Sequence, residues 1–265
     1  MMVSAEQLDS ALDGSTNATL VRDVIVADGV DTVKFLHSQL SQDLVSMGIG
    51  DTRWAFLLQP TGKLVALLRV VRSAETTVVL DTDAGHGDAV VQALSRFKIR
   101  TKCDLTLRSN ISFVASWSER LPVLAEGVGT LDEAVSDLCA IVRGFPRWGT
   151  ELKDSTIPNA TGLVDRAASF TKGCYTGQEL VERIDSRGGN VPRRLVGVAF
   201  DATVEDLGDH TELTLDGSAA GDCTSVRLDP RTAQAVALAY VSRSVDASSV
   251  LVAATGHAAR VVVLS

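Results

Sequence analysis

Beyond residue 186 the chain changes texture, and that change limits the folds open to it. "SRGGNVPRR" is a turn-rich break, and the residues after it form a series of short β-branched runs: "LVGVAF", "TELTLDG", "AVALAYVS", "VLVAATG" and "RVVVLS". No segment with a helical period interrupts them. Roughly 70 residues of short strands are best satisfied by a small closed barrel, because closure removes the unpaired strand edges that an open sheet would expose. A boundary near Pro192 divides the chain into a body over 1–192 and a barrel domain over 193–265.

The body mixes both periodicities. "ATLVRDVIVADG" is β-branched and ends on Asp28-Gly29, a turn signal. In "DTVKFLHSQLSQDLVSMG", Val33, Leu36, Leu40 and Leu44 fall at helical spacing, which predicts a helix running toward Gly48. "TRWAFLLQPTGKLVALLRVV" reads as two buried strands joined at Pro60-Thr61-Gly62, and "TTVVLDTD" as another strand. "GDAVVQALSRFKI" and "TLDEAVSDLCAIV" read as helices, with short strands "ISFVASWSE" and "PVLAEG" between them. Strands and helices alternate without the regularity of βαβ units, so the expected class is α+β.

With 265 residues, about 70% of the unfolded surface can be buried without metal or disulfide staples. A formal charge of −8 is the wrong sign for a chain devoted to phosphate backbones, and no direct nucleic-acid role is expected. No apolar run is long enough to span a bilayer, so no membrane partner is expected. "MMVSAEQLDSALDGS" has neither the basic nor the apolar region of a secretory signal. Cysteines 103, 139, 174 and 223 form no CxxC, and histidines 37, 86, 210 and 257 form no HxxxH, so no local metal site is expected. Few, scattered cysteines point to the reducing cytoplasm.

One stretch concentrates chemistry: "KGCYTGQEL", residues 172–180. Lys172 stands two residues before Cys174, and an ammonium favours a thiolate. "GQELVERI" reads as a helix, so Cys174 falls just ahead of a helix start, where free amides and the positive dipole end lower a thiol pKa. Chemistry alone leaves two readings: a reactive thiol, or a semi-buried cysteine in an ordinary turn with Tyr175 as a core anchor. Elsewhere, "GHGDA" and "GVGTLD" lack the third glycine of a dinucleotide loop. "PTGKL" is explained as a hairpin turn, and His37 as a surface or rim histidine.

"KGCYTGQELVER" resembles the signature of the YgfZ-type proteins, folate-binding relatives of the glycine-cleavage T-protein that assist iron–sulfur enzyme maturation. "FLHSQLSQDL", "FLLQPTGKLVA", "LDTDAGHGDAVVQALSRFKIRTKCDL", "GFPRWGTEL" with "TIPNATGL", and "GDCTSVRLDPRTAQAVALAYV" are similar to that family's other segments, so nearly the whole chain is covered. The resemblance implies an α+β body of ferredoxin-like units ringed around a central folate hole, followed by the barrel. Two departures stand out. The paired aspartates of T-proteins match Val65 and Ala66 here, and the pterin-holding glutamate matches Val142 or Arg143.

The resemblance therefore implies an accessory factor for iron–sulfur cluster assembly or repair, acting through Cys174 with Lys172 sustaining its thiolate. Gln39, Asp43, Tyr175, Gln178 and Glu179 are the expected pocket wall for tetrahydrofolate or a derivative. Iron–sulfur carrier proteins and cluster-dependent client enzymes are the expected partners. One cysteine supplies one of the four thiolates a cluster usually takes, so any cluster would be shared transiently. The alternatives are a folate-dependent one-carbon transferase and a small-molecule binding module with no thiol role.

Overall fold

Two β-structures organise the chain in the computed structural model, which describes residues 2–203, 205 and 207–262. One is a six-stranded sheet and the other a closed six-stranded barrel. The sheet contains β1 (Ala18–Asp28), β2 (Thr52–Leu58), β3 (Leu64–Arg72), β4 (Thr77–Asp83), β5 (Asp104–Ser116) and β6 (Val123–Glu126), in the order β2-β3-β4-β1-β5-β6. Spatially the chain divides into two units. The first comprises Val21–Ile111 and Leu152–Asn190; the second comprises Met1–Leu20, Ser112–Glu151 and Val191–Ser265.

In the first unit, β2, β3, β4 and β1 are antiparallel neighbours. Because side chains alternate across a strand, one sheet face can be wholly apolar. Ile25, Leu68, Val70 and Leu80 form that face, and they pack with Leu36 of α2 (Thr32–Gln39) and with Val90 and Leu94 of α3 (Gly87–Ser95). The opposite face carries a buried ionic cluster. Asp81 of β4 accepts from Arg22 Nε at 2.5 Å through one carboxylate oxygen and from Arg69 Nε at 2.7 Å through the other, and Arg22 also lies over the Trp54 ring. Asp23 does different work: its carboxylate accepts from the amides of Gly85, Gly87 and Asn110, which fixes the start of α3.

The helix expected from 31 to 48 stops at Gln39. Leu40 turns extended (φ −98°, ψ 150°) and bridges to Leu57 of β2. Leu44 and Met47 are buried all the same, carried into the core by a loop. The helical spacing thus reports burial correctly and backbone conformation incorrectly. Ser41 helps to hold the exit: its hydroxyl donates to Ala167 O and accepts from the Phe56 amide at 2.7 Å.

In the second unit, α1 (Ala5–Leu12) has no counterpart in the periodicity reading. A capping box starts it, with Ser4 accepting from the Gln7 amide while the Gln7 side chain accepts from the Ser4 amide. α4 (Glu133–Arg143) begins at an Asp132 cap and ends at Gly144 with φ +72°. Trp117 is fully buried, edge-on to Phe145, and its indole N–H donates to Ser136.

The barrel is β7 (Arg193–Phe200), β8 (Glu212–Leu215), β9 (Ser218–Asp229), β10 (Gln234–Ser242), β11 (Val250–Ala253) and β12 (Ala258–Val262), in the order β10-β7-β12-β11-β8-β9. Its interior is aliphatic: Val198, Leu213, Ala237, Val241 and Leu251. Cys223 is a fully buried residue of β9. A register shift at Leu238/Ala239 lies opposite this stretch. Beside it the buried Glu151 carboxylate accepts from the hydroxyls of Thr224 and Ser225, which pairs these buried polar groups.

Candidate functional site

The motif loop lies wholly in the first unit and is held from two sides. After α5 (Val164–Ala167), the Ser169 amide donates to Ser41 O. Lys172 then directs its ammonium at the end of α2, donating to the carbonyl oxygens of His37, Leu40 (2.7 Å) and Gln42 (3.1 Å). An ammonium has three N–H bonds, and all three are taken. The last carbonyls of a helix lack amide partners and carry partial negative charge, so a cation here completes α2 chemically and electrostatically. Burial pushes the Lys172 pKa down to about 8, opposed by the charge of Asp43. The ammonium also sits 5.0 Å from the Tyr175 ring centroid.

Thr176 makes the next attachment. Its amide donates to Ser38 O at 3.2 Å and its hydroxyl to Gln39 Oε1 at 3.2 Å. Gly177 comes next, with φ +80°, and caps α6 (Gln178–Asp185). Gln178 folds back so that its side-chain oxygen accepts from the Tyr175 amide at 2.9 Å. On the other side stands the β2–β3 hairpin. A Cβ on Gly177 would lie 2.4 Å from Gln59 O and 3.1 Å from the Gly62 Cα, and one on Gly62 would lie 2.4 Å from Leu180 Cβ. The 2.4 Å contacts are closer than any side chain permits, so the hairpin and the motif meet glycine to glycine.

Between these anchors, Cys174 is exposed, while Cys103, Cys139 and Cys223 are buried. Burial pushes the Cys139 and Cys223 thiols up to about 12 and also raises Cys103. Only a thiolate attacks or ligates at useful rates. Cys174 is therefore the sulfur a partner can reach. Gly173 beside it faces open space.

The expected pocket residues have distinct fates. Gln39 is buried, donates to the Ser38 hydroxyl and accepts from Thr176. Asp43 accepts from the Val45 and Ser46 amides and lies 3.3 Å from His37 Nδ1; the hydrogen bond from Ser46 is the main force lowering its pKa. Gln178 is spent on Tyr175. Glu179 is exposed in the first turn of α6. Tyr175 is buried, its hydroxyl has no hydrogen-bond partner among the described residues, and its pKa is raised to about 12 by burial and then by Glu182. Ser38, Ser41, Thr176 and Gly62 also build the site, and the sequence does not single them out. Ordinary hydroxyl residues and a turn glycine carry no local signal of distant partners. Among the described residues, no group of three or more His, Cys, Asp or Glu side chains gathers to hold a metal ion.

No family model matches the chain. It is 26% identical over 220 residues to an uncharacterised Haemophilus influenzae protein, covering 74% of this chain and 77% of that one. To the mitochondrial iron–sulfur cluster assembly factor IBA57 homolog of Phaeosphaeria nodorum it is 23% identical, over 68% of this chain and 54% of the relative. To the tRNA-modifying protein YgfZ of Vibrio vulnificus it is 24% identical, over 63% and 64%. The crystal structure of the glycine cleavage system aminomethyltransferase T from Bartonella henselae superposes with a TM-score of 0.78 at 17% identity, covering 97% of this chain and 88% of that one. The chain is similar to YgfZ and IBA57 proteins in sequence and to the aminomethyltransferase in fold. At 17% identity the fold is all that the likeness to the aminomethyltransferase conveys. The matches span about half to three-quarters of the curated relatives' lengths. Among the described residues, no helix is long and apolar enough to cross a membrane.

Proposed function

We propose that this protein is a cytoplasmic accessory factor for iron–sulfur cluster assembly or repair, in which Cys174 is the group that engages the partner. The carrying observation is the contrast among the four thiols: one exposed sulfur on an anchored loop, three others buried. The names of relatives in cluster assembly support the same reading. The cluster is cargo. Cys174 supplies one thiolate to a cluster whose remaining ligands come from a carrier or client protein. Lys172, Thr176 and Gln178 hold the loop so that the sulfur is presented without reordering the backbone. The division of the chain near Pro192 belongs to this proposal.

A tetrahydrofolate-like ligand enters the proposal on relatedness to folate-using proteins alone. Gln39 Oε1, Gln178 Oε1 and one carboxylate oxygen of Asp43 accept hydrogen bonds within the loop and its supports. With these acceptors taken, the side chains as they stand do not fit a pterin. The apolar pair Val65 and Ala66 supports the accessory reading over aminomethyl transfer, since neither side chain can act as a base or counter-charge.

The test is complementation of a strain lacking the native gene, read as the activity of cluster-dependent enzymes. Cys174→Ala should fold normally and fail to restore that activity. Full complementation by the alanine variant removes the thiol from the mechanism.

A further inference from the structure

Residues 96–102 read Arg-Phe-Lys-Ile-Arg-Thr-Lys, which places four cations in seven positions of a chain whose formal charge is −8. The segment leaves α3 and leads into β5, and apolar side chains alternate with the cations. Phe97 is 42% exposed and Ile99 79% exposed. Lys98 reaches Asp104 at 3.6 Å. Among the described residues, Lys34, Arg96, Arg100 and Lys102 have no carboxylate at ion-pair distance.

This segment forms one wall of a cleft of about 350 Å³ whose other wall is α2. Lys34, Phe35, Ser38 and Gln39 face Phe97, Arg100 and Thr101 across it. Asp31 closes one end, its carboxylate already accepting the Lys102 amide at 2.8 Å. The cleft is thus rimmed by cations without counter-ions and has an aromatic ring at its mouth.

We infer that this cleft docks a segment of a partner protein in which acidic and apolar residues alternate. Unpaired cations around an exposed aromatic ring are the complement of such a segment, with apolar contacts supplying affinity and the charged rim supplying rate and selectivity. A nucleic acid would meet a strongly acidic chain everywhere outside the patch, which disfavours it. The position also matters. Ser38 and Gln39, which line the cleft, hold Thr176 through one backbone and one side-chain hydrogen bond. A partner seated here touches the residues that anchor the loop two positions from Cys174. That the partner is the client of Cys174 rests on the iron–sulfur reading above; that the cleft binds an acidic segment does not.

Fluorescence anisotropy of the full chain with a short labelled peptide alternating glutamate and leucine tests the binding. The wild type should bind it, more weakly as salt rises. Lys34→Glu/Arg100→Glu should weaken binding by about tenfold or more, with the melting temperature confirming the fold. Phe97→Ala should weaken it without changing the salt dependence. Cys174→Ala should bind as the wild type does. An absence of wild-type binding, insensitivity to the charge reversal, or tighter binding to an oligonucleotide of equal charge or to phosphatidylserine vesicles overturns the inference. In cells, Lys34→Glu/Arg100→Glu should lose enzyme support while Cys174 alkylates at its normal rate; retained support refutes the client role. If Cys174→Ala complements fully, the iron–sulfur reading falls while the peptide result stands on its own.

Discussion

Gly62 in the β2–β3 hairpin and Gly177 at the start of α6 lie in direct contact, each at positive φ (+81° and +80°), and neither position has room for a methyl group. The two segments, 115 positions apart in the chain, look in sequence like an unrelated turn and helix start. Together they set the distance between the hairpin and the cysteine loop.

Gly177→Ala should therefore destabilise the protein by on the order of 3 kcal/mol, from backbone strain plus a clash with the Gln59 carbonyl. Gly62→Ala should cost a similar amount. Gly173→Ala, where a Cβ meets open space, should change stability by less than about 0.5 kcal/mol. Urea denaturation of the three variants checks the ranking. Equal effects at 173 and 177 would mean that the glycine contact does not constrain the loop.

Lys172→Met removes the donor that satisfies three carbonyls at the end of α2. We expect a loss on the order of 2–3 kcal/mol, because partly buried acceptors lose a charged partner. Amide hydrogen exchange should rise in 37–44 and 169–177 together, since one side chain ties the two segments. Faster exchange in only one of them would show that the tie is not mechanical.

Mass-spectrometric footprinting with limiting iodoacetamide should label Cys174 well before Cys103, Cys139 and Cys223, because the last three are buried and their thiols are raised in pKa. Labelling of Cys103 first would reverse the assignment of the reachable sulfur.

His37 supplies a pH dependence. Its Nδ1 accepts from the Leu44 amide at 3.1 Å, and its pKa is lowered from 6.5 by burial and then by the charge of Lys172, with Asp43 opposing. A histidine of depressed pKa takes up its proton later in the folded than in the unfolded chain. Stability is therefore intact above about pH 6.5 and falls as the solution is acidified through the window below it. His37→Asn keeps an acceptor without titrating, so its stability should fall less over that window. Parallel melting curves for the two proteins between about pH 5 and pH 7 would contradict this.

The strands are legible in the sequence because β-branched alternation and turn residues are local signals. β1 through β4 and the barrel follow from them directly. The periodicity overextends α2 because the leucines that mark a helical stripe also suit a loop pressed into the core. α1 escapes it because the signal lies in the Ser4–Gln7 cap more than in apolar period. At the site, the thiol and the helix start are visible within a few consecutive residues. The role of Lys172 as a terminus for α2 is not, because its acceptors are backbone atoms 130 to 135 positions earlier in the chain. Main-chain carbonyls leave no trace in residue identity.

That anonymity governs how the loop tolerates change. Every peptide unit presents the same oxygen, whatever side chain it carries, so the receiving end of the Lys172 tie is blind to composition. Replacing Gln42 alters nothing that the ammonium recognises. Position 172 has no such latitude, since only a long cationic side chain reaches all three acceptors. The Lys172 tie is one-sided: side-chain changes at 37, 40 and 42 leave its three acceptors in place, while a single change at 172 removes it.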